Sequence, residues 1–109
     1  MKIEIGKPII NEDQNTTIEI DNYDLWNLNN TLAIVIAPCL KKFKETTTSY
    51  PNKFNNNGGM TAWCEILDKM IVAFELILSS DYELNNIDNE NKIKEGLRLF
   101  SEYYQELWD

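Results

Sequence analysis

The sequence contains no histidine and one arginine, Arg98. The first absence removes the commonest general base and the commonest transition-metal ligand. The second accompanies 18 acidic against 10 basic residues and a formal charge of −8. Direct nucleic-acid binding is therefore not expected, because phosphate contacts need clustered Lys and Arg. Also lacking are a phosphate loop, a Ser/His/Asp or Cys/His arrangement, and any Glu-x-x-Glu pair. The two cysteines, Cys39 and Cys64, do not have the CxxC spacing of zinc or redox sites, so both read as buried free thiols. No long hydrophobic run exists: Leu32 to Leu40 is too short to span a membrane, and Ile3 and Ile5 alternate with charge. Neither a signal peptide nor a membrane partner is expected, and the chain reads as cytoplasmic, which discounts the Asn-x-Thr triplets at Asn15 and Asn29 as glycosylation sites.

What is present suits one globular domain over residues 1–109, since 43% of residues are hydrophobic and 26% charged. The expected fold is mainly α: a three-helix bundle, its first helix kinked at Pro38, with a small N-terminal β-hairpin. The hairpin arm occupies 1–22 and the helical core 23–109. Lys2-Ile3-Glu4-Ile5 and Thr16-Thr17-Ile18-Glu19-Ile20 have the period of half-buried strands, joined by the polar stretch from Asn11 to Asn15. Two strands are marginal alone in water, so the ribbon must lie on the helices or pair with a second chain.

The first helix is expected from Asn30 or Thr31 to about Thr46, with Leu32, Ile36, Cys39, Leu40 and Phe43 on one face. Ala33, Ile34 and Ala37 make its first half apolar nearly all round, so that half should be deeply buried. Pro38 removes a hydrogen bond to the Ile34 carbonyl and predicts a kink or restart. A loop from Thr47 to Met60 follows, with Pro51, Asn55-Asn56-Asn57 and Gly58-Gly59. The central helix is expected over Thr61 to Leu78, capped by Thr61. Its buried stripe is Trp63, Ile66, Leu67, Met70, Phe74 and Ile77, while Val72 and Leu76 interrupt the charged side and suggest contact with the hairpin, the kinked first helix or another subunit. After a polar connection from Ser79, Asp88 caps a last helix from Asn89 to about Leu107. Its apolar arc holds Ile93, Leu97, Phe100, Tyr104, Leu107 and Trp108, and Gly96 at the edge permits close backbone approach. Acidic residues crowd its C-terminal end, where Lys41, Lys42 and Lys44 are the expected compensating cations.

Glu65 and Asp68 stand three apart, side by side on a helix, a spacing suited to magnesium ligation. Glu-x-x-Asp is half of the signature of all-helical nucleoside triphosphate pyrophosphatases, and the partner Glu-x-x-Glu is missing. Lys69 also stands at pairing distance from Glu65, so the solvated-face reading is preferred and no metal or other cofactor is expected. The candidate ligand-binding residues are Trp26, Tyr50 and Trp63, able to stack a base, with Lys69 and Arg98 able to meet phosphates. Packing is the competing role for Trp63 and Trp108.

Asp24-Leu25-Trp26-Asn27-Leu28, the Tyr50-Pro51 loop, Trp63 with Ile66-Leu67-Asp68-Lys69-Met70-Ile71 and Ala73-Phe74-Glu75, Glu95-Gly96-Leu97-Arg98-Leu99-Phe100 and Leu107-Trp108-Asp109 together resemble a family of small uncharacterised bacteriophage proteins. The resemblance covers Asp24 to the end. Asn29 stands where the family tends to show Asp, and Ser49 where it tends to show glycine. The resemblance implies a phage accessory protein acting in the infected bacterial host against its defences. Three functions are expected in order: a non-enzymatic homo-oligomer that sequesters a nucleotide-derived immune signal; an acidic inhibitor of a host defence protein using Glu95, Glu102, Glu106 and Asp109 as a phosphate-like stripe; and a magnesium-dependent nucleotide hydrolase centred on Glu65 and Asp68.

Overall fold

Alternation of Ile3 and Ile18 with charged and polar neighbours is realised as an antiparallel pair, β1 (Lys2–Ile5) and β2 (Thr16–Glu19), in a register that places Lys2 opposite Glu19 and Ile3 opposite Ile18. The computed structural model describes residues 1–6, 16–79 and 86–108. The expected turn from Asn11 to Asn15, most of the Ser79 to Asn89 connection and Asp109 lie outside them. The rest is mainly helical: α1 (Asn22–Trp26), α2 (Leu28–Thr46), α3 (Gly59–Leu78) and α4 (Ile87–Tyr103), with single 3₁₀ turns at Asn52–Phe54 and Tyr104–Glu106.

Several boundaries differ from the sequence expectation, each through backbone chemistry. A short helix, α1, precedes α2, and the Thr31 hydroxyl donates to the Asp24 carbonyl at 2.9 Å and to the Asn27 carbonyl at 3.2 Å, tying the two together. The cap expected at Asn30 or Thr31 is therefore displaced to Asn27. Pro38 lies inside α2, which continues through it to Thr46 without a restart. At α3 the cap is Gly58 rather than Thr61, because Gly58 holds a left-handed φ of 94° that Thr could adopt only under strain. At α4 the cap is Asn86, whose side chain accepts from the Asp88 amide at 2.8 Å, so Asp88 is the cap's beneficiary.

α2 and α4 pack on opposite flanks of α3, and among the described residues neither they nor the hairpin and another helix form a further backbone contact. The result is flat, 47 × 42 × 19 Å, with a radius of gyration of 16.1 Å. A compact chain of this length would measure about 13 Å. Small residues set the close flanks. Ala33 and Ala37 are buried on α2, and Ala73 on α3 meets Gly96 on α4, where an added Cβ would run into the Ala73 methyl and come within 2.5 Å of the Lys69 carbonyl oxygen. Trp63, Leu67, Met70 and Phe74 fill the middle, as their periodicity predicts. Phe54 and Tyr103 close one end around Trp63, with ring centroids 5.7 to 6.4 Å apart.

The open arrangement overturns three burial expectations. The first half of α2 is not enclosed: Leu28, Leu32 and Ile34 are exposed, since only α3 flanks that helix along its length. Cys39 is exposed as well and Cys64 half-buried, both as free thiols. Trp108 is exposed beyond the end of α4, after the helix tightens into its 3₁₀ turn.

The Gly96 contact gives a direct test. Helix propensity alone favours Gly96→Ala by about 1 kcal/mol, whereas overpacking of this contact costs about 1–3 kcal/mol. Urea unfolding is expected to show net destabilisation for Gly96→Ala and a larger loss for Gly96→Val. A more stable Gly96→Ala would mean that α3 and α4 are not held this close.

Candidate functional site

The residues chosen from sequence as a ligand site are distributed over separate elements. Trp63 lies in the core at 1% exposure, between Phe54 and Tyr103, and presents no face for stacking. Tyr50 is half-buried in the loop before α3, lining a cleft of about 230 Å³ with Pro51, Glu106 and Trp108. Trp26 projects from α1 at 75% exposure. Lys69 is on the outer side of α3, and Arg98 is on α4.

Arg98 is fully engaged by neighbours of its own helix. Its Nη2 and Nε lie 3.0 and 3.3 Å from the two oxygens of Glu95, a bidentate pair, and its Nη1 lies 3.1 Å from Glu102. Hydrogen bonding to Arg98 holds the Glu95 carboxyl below its usual value, and the same contact raises the guanidinium further. Lys53 adds a cation at Glu102, 3.9 Å away, while resting over the Tyr103 ring at 4.8 Å. Two carboxylates of the expected acidic stripe, Glu95 and Glu102, are thus internally neutralised.

The basic cluster on α2 is also engaged, though not with the partners its position suggested. Lys44 meets Asp68 at 2.6 Å and Lys41 meets Glu75 at 3.2 Å, both across the α2–α3 groove. These lysines compensate α3, and the acidic end of α4 is served by Arg98 and Lys53. The correction follows from the layer: α2 and α4 are separated by α3, so the α2 cations have only α3 beside them. Asp68 is consequently an ion-pair partner of Lys44, the hydrogen bond raising the lysine above its ordinary value. The anticipated Glu65–Lys69 pair is not formed. Among the described residues no group of three or more Cys, Asp or Glu side chains could hold a metal ion.

The groove between α3 and α4 has the size of a ligand site. Asp68, Lys69 and Val72 of α3 face Asn91, Lys92 and Glu95 of α4 around a volume of about 420 Å³. Its mixed charges leave Lys69 and Lys92 as the cations at its rim. Sequence reasoning had Lys69 and Asp68 but missed Asn91 and Lys92, because nothing in the spacing of α4 says which of its residues border α3.

A different cluster stands on the N-terminal arm. Tyr23 and Trp26 are 74% and 75% exposed, with ring centroids 4.6 Å apart. Asp21 and Asp24 stand beside them in the chain, and the hairpin carries Glu4 and Glu19, with Glu4 paired to Lys2 at 3.5 Å. Asp24 has a structural duty, accepting from the Asp21 amide at 2.7 Å and from the Met1 ammonium at 2.9 Å. These contacts, the amide first, hold its carboxyl below the ordinary value. Tyr23 was not selected from sequence; the signal available was its three-residue spacing from Trp26, which places both on one side of a helix once a helix is recognised there.

The titration behaviour of these pairs is a check on the geometry. Carboxyls depressed in the folded state stabilise it above their ordinary value and lose that contribution as pH falls through the lowered one. Carbon-detected NMR titration should therefore find Asp24 and Glu95 ionised below the normal carboxylate range, and Asp68→Asn should cost less than about 1 kcal/mol because its pair is exposed. Ordinary titration of both carboxyls, or magnesium-dependent turnover abolished by Asp68→Asn, would contradict the assignments. In comparisons with protein-family models, curated proteins and solved structures, nothing matches this chain.

Proposed function

We propose that the chain is a non-enzymatic binding protein whose acidic N-terminal arm docks on a basic host protein. The observation that carries this reading is the Tyr23–Trp26 pair, two exposed aromatic rings side by side on an arm whose sequence carries more acidic than basic residues. Trp and Tyr are the residues that most often dominate protein interfaces. The acidic balance of the arm favours a cationic partner, and a surface that binds nucleic acid is one of that kind. Such a protein would act by occupying that surface, which agrees with the phage counter-defence role and infected-cell location implied by the resemblance.

Sequestration of a nucleotide-derived signal is the second reading. It is favoured by the volume of the α3–α4 groove and by Lys69 and Lys92 at its rim. It ranks lower because Arg98 is doubly paired and Asp68 and Glu95 share the groove with those lysines. The hydrolase reading has the least support, since Asp68 is paired with Lys44.

Affinity capture from host lysate separates the first two. Expected is a basic, nucleic-acid-binding protein retained at about 50 mM salt, released near about 500 mM, and displaced by competing DNA. A Tyr23→Ala, Trp26→Ala variant should lose more than about 2 kcal/mol of binding with an unchanged thermal transition. An empty capture at low salt, together with heat on titration of nucleotides, would replace this reading with the second.

A further inference from the structure

The three long helices form one layer, and its two sides differ in chemistry. Ion pairs Lys44–Asp68 and Lys41–Glu75, and the groove containing Lys69, Lys92 and Glu95, all lie on one side. Helical periodicity then assigns the opposite side. On α2 that side carries Leu28, Leu32, Ile36, Cys39 and Phe43. On α4 it carries Ile93, Leu97, Phe100 and Tyr104. Neither arc contains a charged residue, in a chain of which 26% is charged. Leu28, Leu32, Leu97 and Tyr104 are 40, 46, 40 and 59% exposed, and the rest are half-buried apart from exposed Cys39. These are the strongest apolar arcs of α2 and α4: Ile36, Phe43 and Phe100 lean inward onto the core, the Phe100 ring centroid 5.1 Å from that of Phe74, while Leu28, Leu32, Leu97 and Tyr104 stay open.

We propose that this uncharged side is the interface of a homodimer, in which two copies stack layer on layer about a two-fold axis. A domain ordinarily needs two packed layers around its core, and α2, α3 and α4, side by side with no backbone contact between α2 and α4 among the described residues, supply one. A second copy supplies an identical layer, and a two-fold axis brings like surfaces together. The chain exposes 8149 Å², whereas a folded monomer of 12.7 kDa exposes about 6,200 Å². The hairpin arm and the open arcs share that excess of about 1,900 Å², and a standard interface takes roughly 800 Å² from each partner. Charge also selects the side: two chains of −8 each repel, and stacking through uncharged arcs leaves both charged sides outward. The interface therefore lies opposite Val72, which borders the charged groove.

Light scattering on the full chain tests this independently of what the arm binds. At about 50 µM, where even a micromolar interface is mostly formed, the expected mass is twice 12.7 kDa. A Leu32→Glu, Leu97→Glu variant should keep the helical circular dichroism and raise the dimer dissociation constant by about a hundredfold or more, two to three tenfold steps of 1.4 kcal/mol. Tyr104→Glu, at a more exposed position, gives the same readout if the double variant does not fold. Val72→Glu, on the charged side, should remain dimeric. A single-chain mass for the wild type overturns the proposal, as does a dimer dissociated by Val72→Glu and unaffected by the substitutions on the uncharged side.

Discussion

The close approach of α4 to α3 at Gly96 governs the arrangement of everything around it. With the Lys69 carbonyl oxygen 2.5 Å from where a Cβ would stand, and Ala73 beside it, the two backbones are as near as side chains permit. Small residues perform the same office on the other flank, where Ala33 and Ala37 are buried. Helices joined by their smallest residues turn their largest ones elsewhere. Here the large apolar residues of α2, α3 and α4 point to a common side, and Trp63, Leu67, Met70 and Phe74 are covered there by inward-leaning neighbours such as Phe54, Phe100 and Tyr103.

That geometry also disposes of the charge. Since α2 and α4 do not touch, each cation pairs with the acid nearest across its own groove or on its own helix, so Lys41 and Lys44 serve α3 and Arg98 serves α4. The helical layer is left close to neutral on its charged side. On the N-terminal arm Glu4 is paired with Lys2 and Asp24 with the Met1 ammonium, and α1 exposes the adjacent rings of Tyr23 and Trp26. Those two exposed aromatic rings, on the arm of a protein of −8 net charge, are the feature on which the proposed binding role rests.

Periodicity made much of this legible before any coordinates. The stripe from Trp63 to Phe74, the strands around Ile3 and Ile18, and the close-packing role of Gly96 all follow from local spacing, which is what a sequence records directly. What spacing does not record is which neighbour a face meets. The arcs Leu32, Ile36, Phe43 and Leu97, Phe100, Tyr104 are correctly apolar, yet half open, because α3 packs on Ala33, Ala37 and Gly96 beside them. Asp68 was legible as one of a pair of carboxylates but not as the partner of Lys44, twenty-four residues earlier in the chain. Five-residue α1 escaped because it is too short for a hydrophobic period to declare itself, and with it went the pairing of Tyr23 and Trp26.

The central claim is that three helices form an open layer completed by a second one, and small-angle X-ray scattering over a concentration series reads both halves of it. The account predicts a flat particle in the dilute limit, consistent with a radius of gyration of 16.1 Å, whose mass doubles with concentration mainly by thickening. A particle of single-chain mass at every concentration, with the radius of about 13 Å expected of a compact globule of this length, would contradict it.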